Sequence, residues 1–156
     1  MSTLRTFIRS LPGPKSYCKC ETLCSQLTIE HVVPKSFIKR AGHTNKAAND
    51  LHNIYPCCQK LNGIKSNKLY GKNFILDEKN SYHVGALARA CLYMYDEYNL
   101  PFDGKTVAMW RILDYNYPPK LFELTRNDKI VELKGTKNHY LSSWLDVIDL
   151  EILEQD

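Results

Sequence analysis

The stretch Thr28-Ile29-Glu30-His31-Val32-Val33-Pro34, followed by Asn49-Asp50-Leu51-His52-Asn53-Ile54-Tyr55-Pro56 and then by residues 57–71 (CCQKLNGIKSNKLYG), decides how this chain is read. β-Branched residues flank the Glu30-His31 pair, which favours a strand, and Pro34 lacks the N–H that would carry a ladder further. The pair is therefore placed at a strand end. Consecutive strand residues point to opposite faces, so both reach one site only where the strand twists out into its loop, and the proline supplies that exit. A carboxylate is a hard oxygen ligand suited to Mg²⁺, and a neutral imidazole can take a proton from water at pH 7. Glu30 is thus the candidate metal ligand and His31 the candidate general base.

Residues 49–56 read as a short half-buried strand closed by a second proline. Asn53 is the candidate in it for a supporting hydrogen bond that fixes the ring of His31. Residues 57–66 read as a helix, with Cys57, Leu61 and Ile64 at i, i+4 and i+7 forming a core stripe. Asn62 and Lys65, three apart, share a neighbouring face. The amide oxygen of Asn62 then completes a metal site with Glu30 and leaves the other positions to water and phosphate, as Mg²⁺ prefers. Mg²⁺, or another divalent cation such as Mn²⁺, is the expected cofactor, and the layout suits one such cation and one phosphodiester.

The order Glu-His-Val-Val-Pro, Asp-Leu-His-Asn and Asn-Gly-x-Lys-Ser-Asn resembles the ββα-metal (His-Me finger) site of the bacterial endonuclease I family, secreted or periplasmic nucleases that cut DNA and RNA with little sequence preference. Residues 88–94 (ARACLYM), 126–130 (RNDKI) and 134–138 (KGTKN) resemble later signatures of that family in the same order, so the likeness covers roughly residues 28–140. It implies Glu30 and Asn62 as metal ligands and His31 as general base. The family also has an arginine between the histidine and the ligand asparagine that contacts the scissile phosphate, and Arg40 is the only arginine in that interval. Lys35 and Lys65 are the further candidates for nucleic-acid contact. Lys65 stands where the family usually has arginine, which keeps the charge and loses the bidentate fork.

At 156 residues the chain is expected to be one domain. Its hydrophobic content of 44% and charged content of 24% are those of a globular protein. No run of about 18 apolar residues occurs, so no membrane partner is expected. Residues 1–11 show no long apolar stretch and no small-residue cleavage site, which argues against a secretory leader and sets an intracellular location as the expectation. The net charge of +4 hides a split: residues 1–72 hold twelve Lys/Arg against three Asp/Glu, and residues 73–156 hold nine against fourteen. A basic half around the candidate site is the footprint of a polyanion binder. A solvated face balanced by an acidic one would look the same, and the Glu-His and Asn blocks decide for the binder.

Leu11-Pro12-Gly13-Pro14 marks residues 1–14 as an N-terminal arm ahead of a single domain at 15–156, with the ββα core at about 28–71. Cys18, Cys20, Cys24, Cys57 and Cys58 offer either a structural Zn²⁺ site, reduced thiols, or disulfides if the protein is exported; their spacing is not the usual C-x2-C, so zinc is not favoured. Cys91 reads as core. Residues 77–81 form a polar loop. Val84, Leu87, Ala88, Cys91 and Tyr95 predict an amphipathic helix with Arg89 on its solvated side. Val107, Trp110 and Leu113 predict a second helix, a less regular segment runs to Leu133, and Leu141, Leu145, Ile148 and Ile152 predict a C-terminal helix. His43, His52, His83 and His139 read as surface or capping residues, His52 alone lying in a matched block, and Tyr93-Met94-Tyr95 as core and rim. No P-loop, Ser-His-Asp set or dinucleotide fingerprint is present.

The expected fold is α+β, a ββα-metal unit packed on several helices. The expected function is sequence-nonspecific hydrolysis of DNA, with RNA as a second substrate, by a monomer that leaves room for a protein inhibitor. In it His31 deprotonates a water that attacks phosphorus in line, leaving 5′-phosphate and 3′-hydroxyl ends. The rival is a catalytically silent nucleic-acid-binding module in which the cysteines hold zinc. Site-specific cutting would need an added recognition element, and none is visible beyond the arm.

Overall fold

Residues 84–94, Val84 through Met94, are buried without a break, and the rest of the molecule is laid around them. The computed structural model describes residues 6–7, 27–75 and 83–145. Most of the expected arm, Cys18, Cys20, Cys24, the polar loop at 77–81 and the expected C-terminal helix past residue 145 lie outside the described residues.

Among the described residues the order is β1 (Leu27–His31), α1 (Lys35–Arg40), α2 (Asn45–Ala48), a 3-10 turn (Leu51–Asn53), β2 (Ile54–Cys58), α3 (Gln59–Lys65), α4 (Val84–Tyr98), α5 (Gly104–Asn116), α6 (Leu121–Lys134) and α7 (His139–Ser142). The class is mixed α and β, mostly helical, with a small antiparallel sheet of two strands. Its register pairs Thr28 with Cys57, Ile29 with Pro56, Glu30 with Tyr55 and His31 with Ile54.

The central helix α4 is buried all round because its sequence alternates bulk with small residues: Leu87, Leu92 and Met94 fill the core while Gly85, Ala86, Ala88 and Ala90 let neighbours approach. Each large apolar side chain so buried contributes about 1.5–3 kcal/mol. At Gly85 the approach is close enough to require glycine, since a Cβ there would lie 2.3 Å from the Tyr117 carbonyl oxygen and 2.8 Å from Arg89 Nη2. One core joins α4 and α5 with Val32, Val33 and Ile38 near the site, and Phe102 meets the Trp110 ring edge-on. A second, smaller cluster of Phe7, Leu51, Ile54 and Ile130 takes up Ile29 from β1.

Four expectations change. The second strand does not begin at Asn49: Asp50 Oδ1 accepts the His52 N–H at 3.0 Å, which folds residues 51–53 into a 3-10 turn before the strand starts. The strand then runs through Pro56 to Cys58, tolerable because both strands of a two-stranded ribbon are edges. Consequently the helix starts at Gln59, and the stripe counted from Cys57 crosses an element boundary: Ile64 is 52% exposed and Lys65 is 0% exposed. Arg89 is not solvated but fully buried, its Nε and Nη2 each 2.6 Å from the carboxylate of Glu123 and its Nη1 2.8 Å from the Tyr117 carbonyl. Lastly, residues 121–134 form one regular helix whose inward face is Glu123, Arg126 and Ile130, closed by Gly135 in the left-handed conformation (φ 73°).

Candidate active site

Alternation along β1 divides the site into two faces. Thr28 and Glu30 look toward α3, which follows β2 directly and folds back across the ribbon. Asn62 Nδ2 donates to Thr28 Oγ1 at 2.9 Å and to the Ile29 carbonyl at 3.1 Å. Both amide protons are thus spent on β1, and Oδ1 is the end of the amide turned away from those acceptors. Three residues on, Lys65 Nζ lies 3.4 Å from Glu30 Oε1 and 3.1 Å from the His31 carbonyl. Glu30 itself is only 2% exposed.

His31, on the opposite face, is half-buried, and its Nε2 lies 2.8 Å from Asn49 Oδ1. An amide oxygen can only accept, so Nε2 carries the proton and Nδ1 is the basic nitrogen. Burial pushes the pKa of His31 below its ordinary 6.5, and the positive charges of Lys35 and Lys65 push the same way, against the Asn49 hydrogen bond. Burial thus favours the neutral ring.

The ring contact expected of Asn53 is made by Asn49. Asn53 grips the backbone instead: Oδ1 accepts Val33 N–H at 2.8 Å, and Nδ2 donates to the carbonyls of Val33 at 3.1 Å and Ala48 at 3.0 Å. It is fully buried, and it ties the exit of β1 to the end of α2, so its support for His31 runs through the loop. Lys65, expected at a phosphate, is wholly buried against Glu30, because the inward side of α3 is Leu61, Asn62 and Lys65 rather than Leu61 and Ile64. Lys35 and Arg40 are exposed at the two ends of α1, the helix that leaves the site through Pro34.

Two residues outside the predicted set hold the scaffold. Asp50 Oδ2 accepts from the hydroxyls of Tyr93 at 2.8 Å and Tyr98 at 2.6 Å, fastening the 3-10 turn to α4. Arg126 stacks 3.9 Å over the Tyr55 ring and its Nη2 donates to the carbonyls of Leu51 and Ile54, so a guanidinium on α6 fixes the start of β2. The RNDKI block carried that signal without its meaning. His52 turns away from the site, with Nε2 2.9 Å from the Thr136 carbonyl, and burial lowers its pKa. Cys58 is disulfide-bonded, while Cys57 and Cys91 are buried, Cys57 Sγ donating to the Cys58 carbonyl at 3.3 Å. Among the described residues no group of three or more His, Cys, Asp and Glu is placed to hold a metal ion, and no helix is long and apolar enough to cross a membrane.

Comparison with known proteins finds relatives with one theme. The chain is 28% identical to a periplasmic deoxyribonuclease of Aeromonas hydrophila over 65% of its own length and 51% of the relative's. It is 25% identical to an extracellular deoxyribonuclease of the same organism, over 75% of the chain and 65% of the relative. It is 27% identical to an endonuclease-1 of Buchnera aphidicola, over 79% of the chain and 62% of the relative. No family model matches. The chain thus spans about half to two thirds of the length of these relatives. The expected intracellular location is overturned by them: the names periplasmic and extracellular point to export. The pattern of residues 1–11 that suggested otherwise carries no weight in a chain matching only part of its relatives.

Proposed function

We propose that this chain, a relative of the bacterial endonuclease I family, is an exported nuclease domain that hydrolyses phosphodiester bonds in DNA. One observation carries the reading: a half-buried neutral histidine with Nε2 committed to Asn49, adjacent in sequence to a buried carboxylate that faces an asparagine-bearing helix. In this reading β1, β2 and α3 are a ββα-metal unit. His31 Nδ1 takes the proton from the water that attacks phosphorus, and Asn49 keeps the ring in the tautomer that can do so. Lys35 and Arg40 meet the phosphate backbone, which carries no sequence information, so cutting is nonspecific.

The residues present fit a divalent cation. Glu30 supplies a carboxylate, and the twice-anchored amide of Asn62 presents the hard oxygen that Mg²⁺ takes when most positions stay with water and phosphate. A cation held there supplies neutralisation of charge growing on the phosphate and on the leaving 3′-oxygen. The products are then 5′-phosphate and 3′-hydroxyl ends. Export agrees with the disulfide at Cys58, since such bonds persist in oxidising compartments.

The test is incubation of the purified chain with supercoiled plasmid and with RNA, with Mg²⁺ or Mn²⁺ and with chelator. Divalent-dependent nicking of plasmid is expected, and salt-sensitive DNA binding without any cutting would leave the silent binding module standing. Two variant sets refine it. Asn49→Ala should lower kcat by about 10–100-fold with KM little changed, the usual cost of losing the group that orients a site residue. Glu30→Ala and Asn62→Ala should each raise the Mg²⁺ needed for half-maximal residual cutting by at least about tenfold, and the double variant should cost less than the two losses combined, as groups acting as a unit do. A wild-type Mg²⁺ titration of Asn62→Ala would remove Asn62 from the ligand set.

A further inference from the structure

The seven-residue helix α3 turns a lysine inward and leaves its neighbouring isoleucine outside: Lys65 is 0% exposed and Ile64 is 52% exposed. An apolar side chain stood one position away, so filling the core does not explain the choice. Burying an ammonium costs several kcal/mol unless a counter-charge and hydrogen-bond acceptors receive it. Here both are supplied by the site, through Glu30 Oε1 at 3.4 Å and the His31 carbonyl at 3.1 Å. Glu30, at 2% exposure, has the same need. Two buried charges of opposite sign therefore meet at the one carboxylate assigned to the metal.

Resting on the nuclease reading above, we propose that Lys65 is the built-in counter-ion of Glu30, a positioning residue that holds and aims the carboxylate before metal arrives and holds down the affinity for the metal that follows. The first half follows from the rungs on α3, where Asn62 grips β1 at Thr28 and Lys65 grips it at Glu30 and His31, so the helix and strand are locked together by the same face that carries the ligands. The second half follows from electrostatics: a cation on Glu30 shares that carboxylate with an ammonium and is repelled by it, strongly where water is excluded. The site is thus assembled without metal, and loading is kept reversible.

The test compares wild type, Lys65→Met, Glu30→Gln and the double variant. Thermal unfolding in EDTA reads the pair without any metal. Lys65→Met and Glu30→Gln should each lower Tm by roughly 5–10 °C, since each removes one member of a buried ion pair, and the double variant should recover more than half of the combined loss. Calorimetric titration with Mn²⁺ reads the second half, and Lys65→Met should bind about tenfold more tightly than wild type. A role confined to packing would not tighten metal binding. Additive Tm losses, or Mn²⁺ affinity unchanged in Lys65→Met, overturn the inference. If Lys65→Met does not fold in EDTA, rescue by Mn²⁺ or by adding Glu30→Gln supports it, and failure of both overturns it. Wild type binding no Mn²⁺ would bring down the metal site and this inference together, whereas wild type binding with Lys65→Met no tighter brings down this inference alone.

Discussion

His31→Ala is expected to lower plasmid cleavage by about 10²–10⁴-fold, the usual worth of a general base, with Tm and DNA affinity close to wild type. The separation follows from where the side chain sits. His31 is half-buried, its ring engages Asn49, and the hydrogen bonds that hold the loop after it come from Asn53 and the backbone rather than from the imidazole. Truncation should therefore remove the proposed base and leave the fold. The pH profile gives a second reading. A base works when unprotonated, and burial holds the pKa of His31 below the ordinary 6.5, so activity should persist to lower pH than an exposed histidine would allow and fall on the acid side of that value. Cleavage rates of wild type across pH, set beside His31→Ala at its residual rate, check both. A variant that cuts at the wild-type rate would mean another group takes the proton.

Arg89→Met is the most damaging change expected for stability, about 3–5 kcal/mol, because it strands a carboxylate in the core. Glu123 is buried and receives two guanidinium hydrogen bonds of 2.6 Å, and the same guanidinium reaches Asp114 at 3.1 Å and the carbonyl of Tyr117. Arg89 sits on α4, Glu123 on α6 and Asp114 on α5, so one side chain binds three helices, and Asn138 ahead of α7 donates to its carbonyl at 3.2 Å. Methionine keeps much of the length and none of the charge. For a chain of this size Tm should drop on the order of 10 °C. Arg89→Met combined with Glu123→Gln should recover a substantial part, measured by urea or thermal unfolding, since the isolated charge is then gone. Equal stability of wild type and Arg89→Met would mean that packing, not the ion pair, holds these helices.

These two residues show what the sequence discloses. The end of β1 at His31 was legible because β-branched residues and Pro34 act locally, and α4 was legible because its apolar period is long. Arg89 was misplaced on solvent because a helix buried on every side carries no polar face to compare against, and its partner lies 34 positions away. For the same reason α6 looked irregular: a scan for apolar spacing passes over an inward face built from Glu123 and Arg126, whose burial is met by charge. Within the site, Glu30 on β1 and Asn62 on α3 lie along one strand-helix contact, and the choice between Asn49 and Asn53 for the imidazole depended on the 3-10 turn. That turn is made by Asp50 capping His52, and it rotates the block so that Asn53 faces the Val33 backbone. Lys65 went astray because Cys57, which belongs to β2, was counted into the helical stripe; without it Leu61 pairs at i, i+4 with Lys65 rather than at i, i+3 with Ile64.

The grip of Arg126 on the Leu51 and Ile54 carbonyls has a temporal side. During synthesis the strands and helix of the site are joined before Arg126, and before Tyr93 and Tyr98, which hold Asp50. A nascent chain stopped short of α6 carries Glu30, His31 and Asn62 and lacks the clamp that sets β2 opposite them. Contacts between residues so far apart carry a loop-closure cost that slows folding. The elements that carry the candidate site are therefore not expected to hold it in shape without the helices that follow them in the chain.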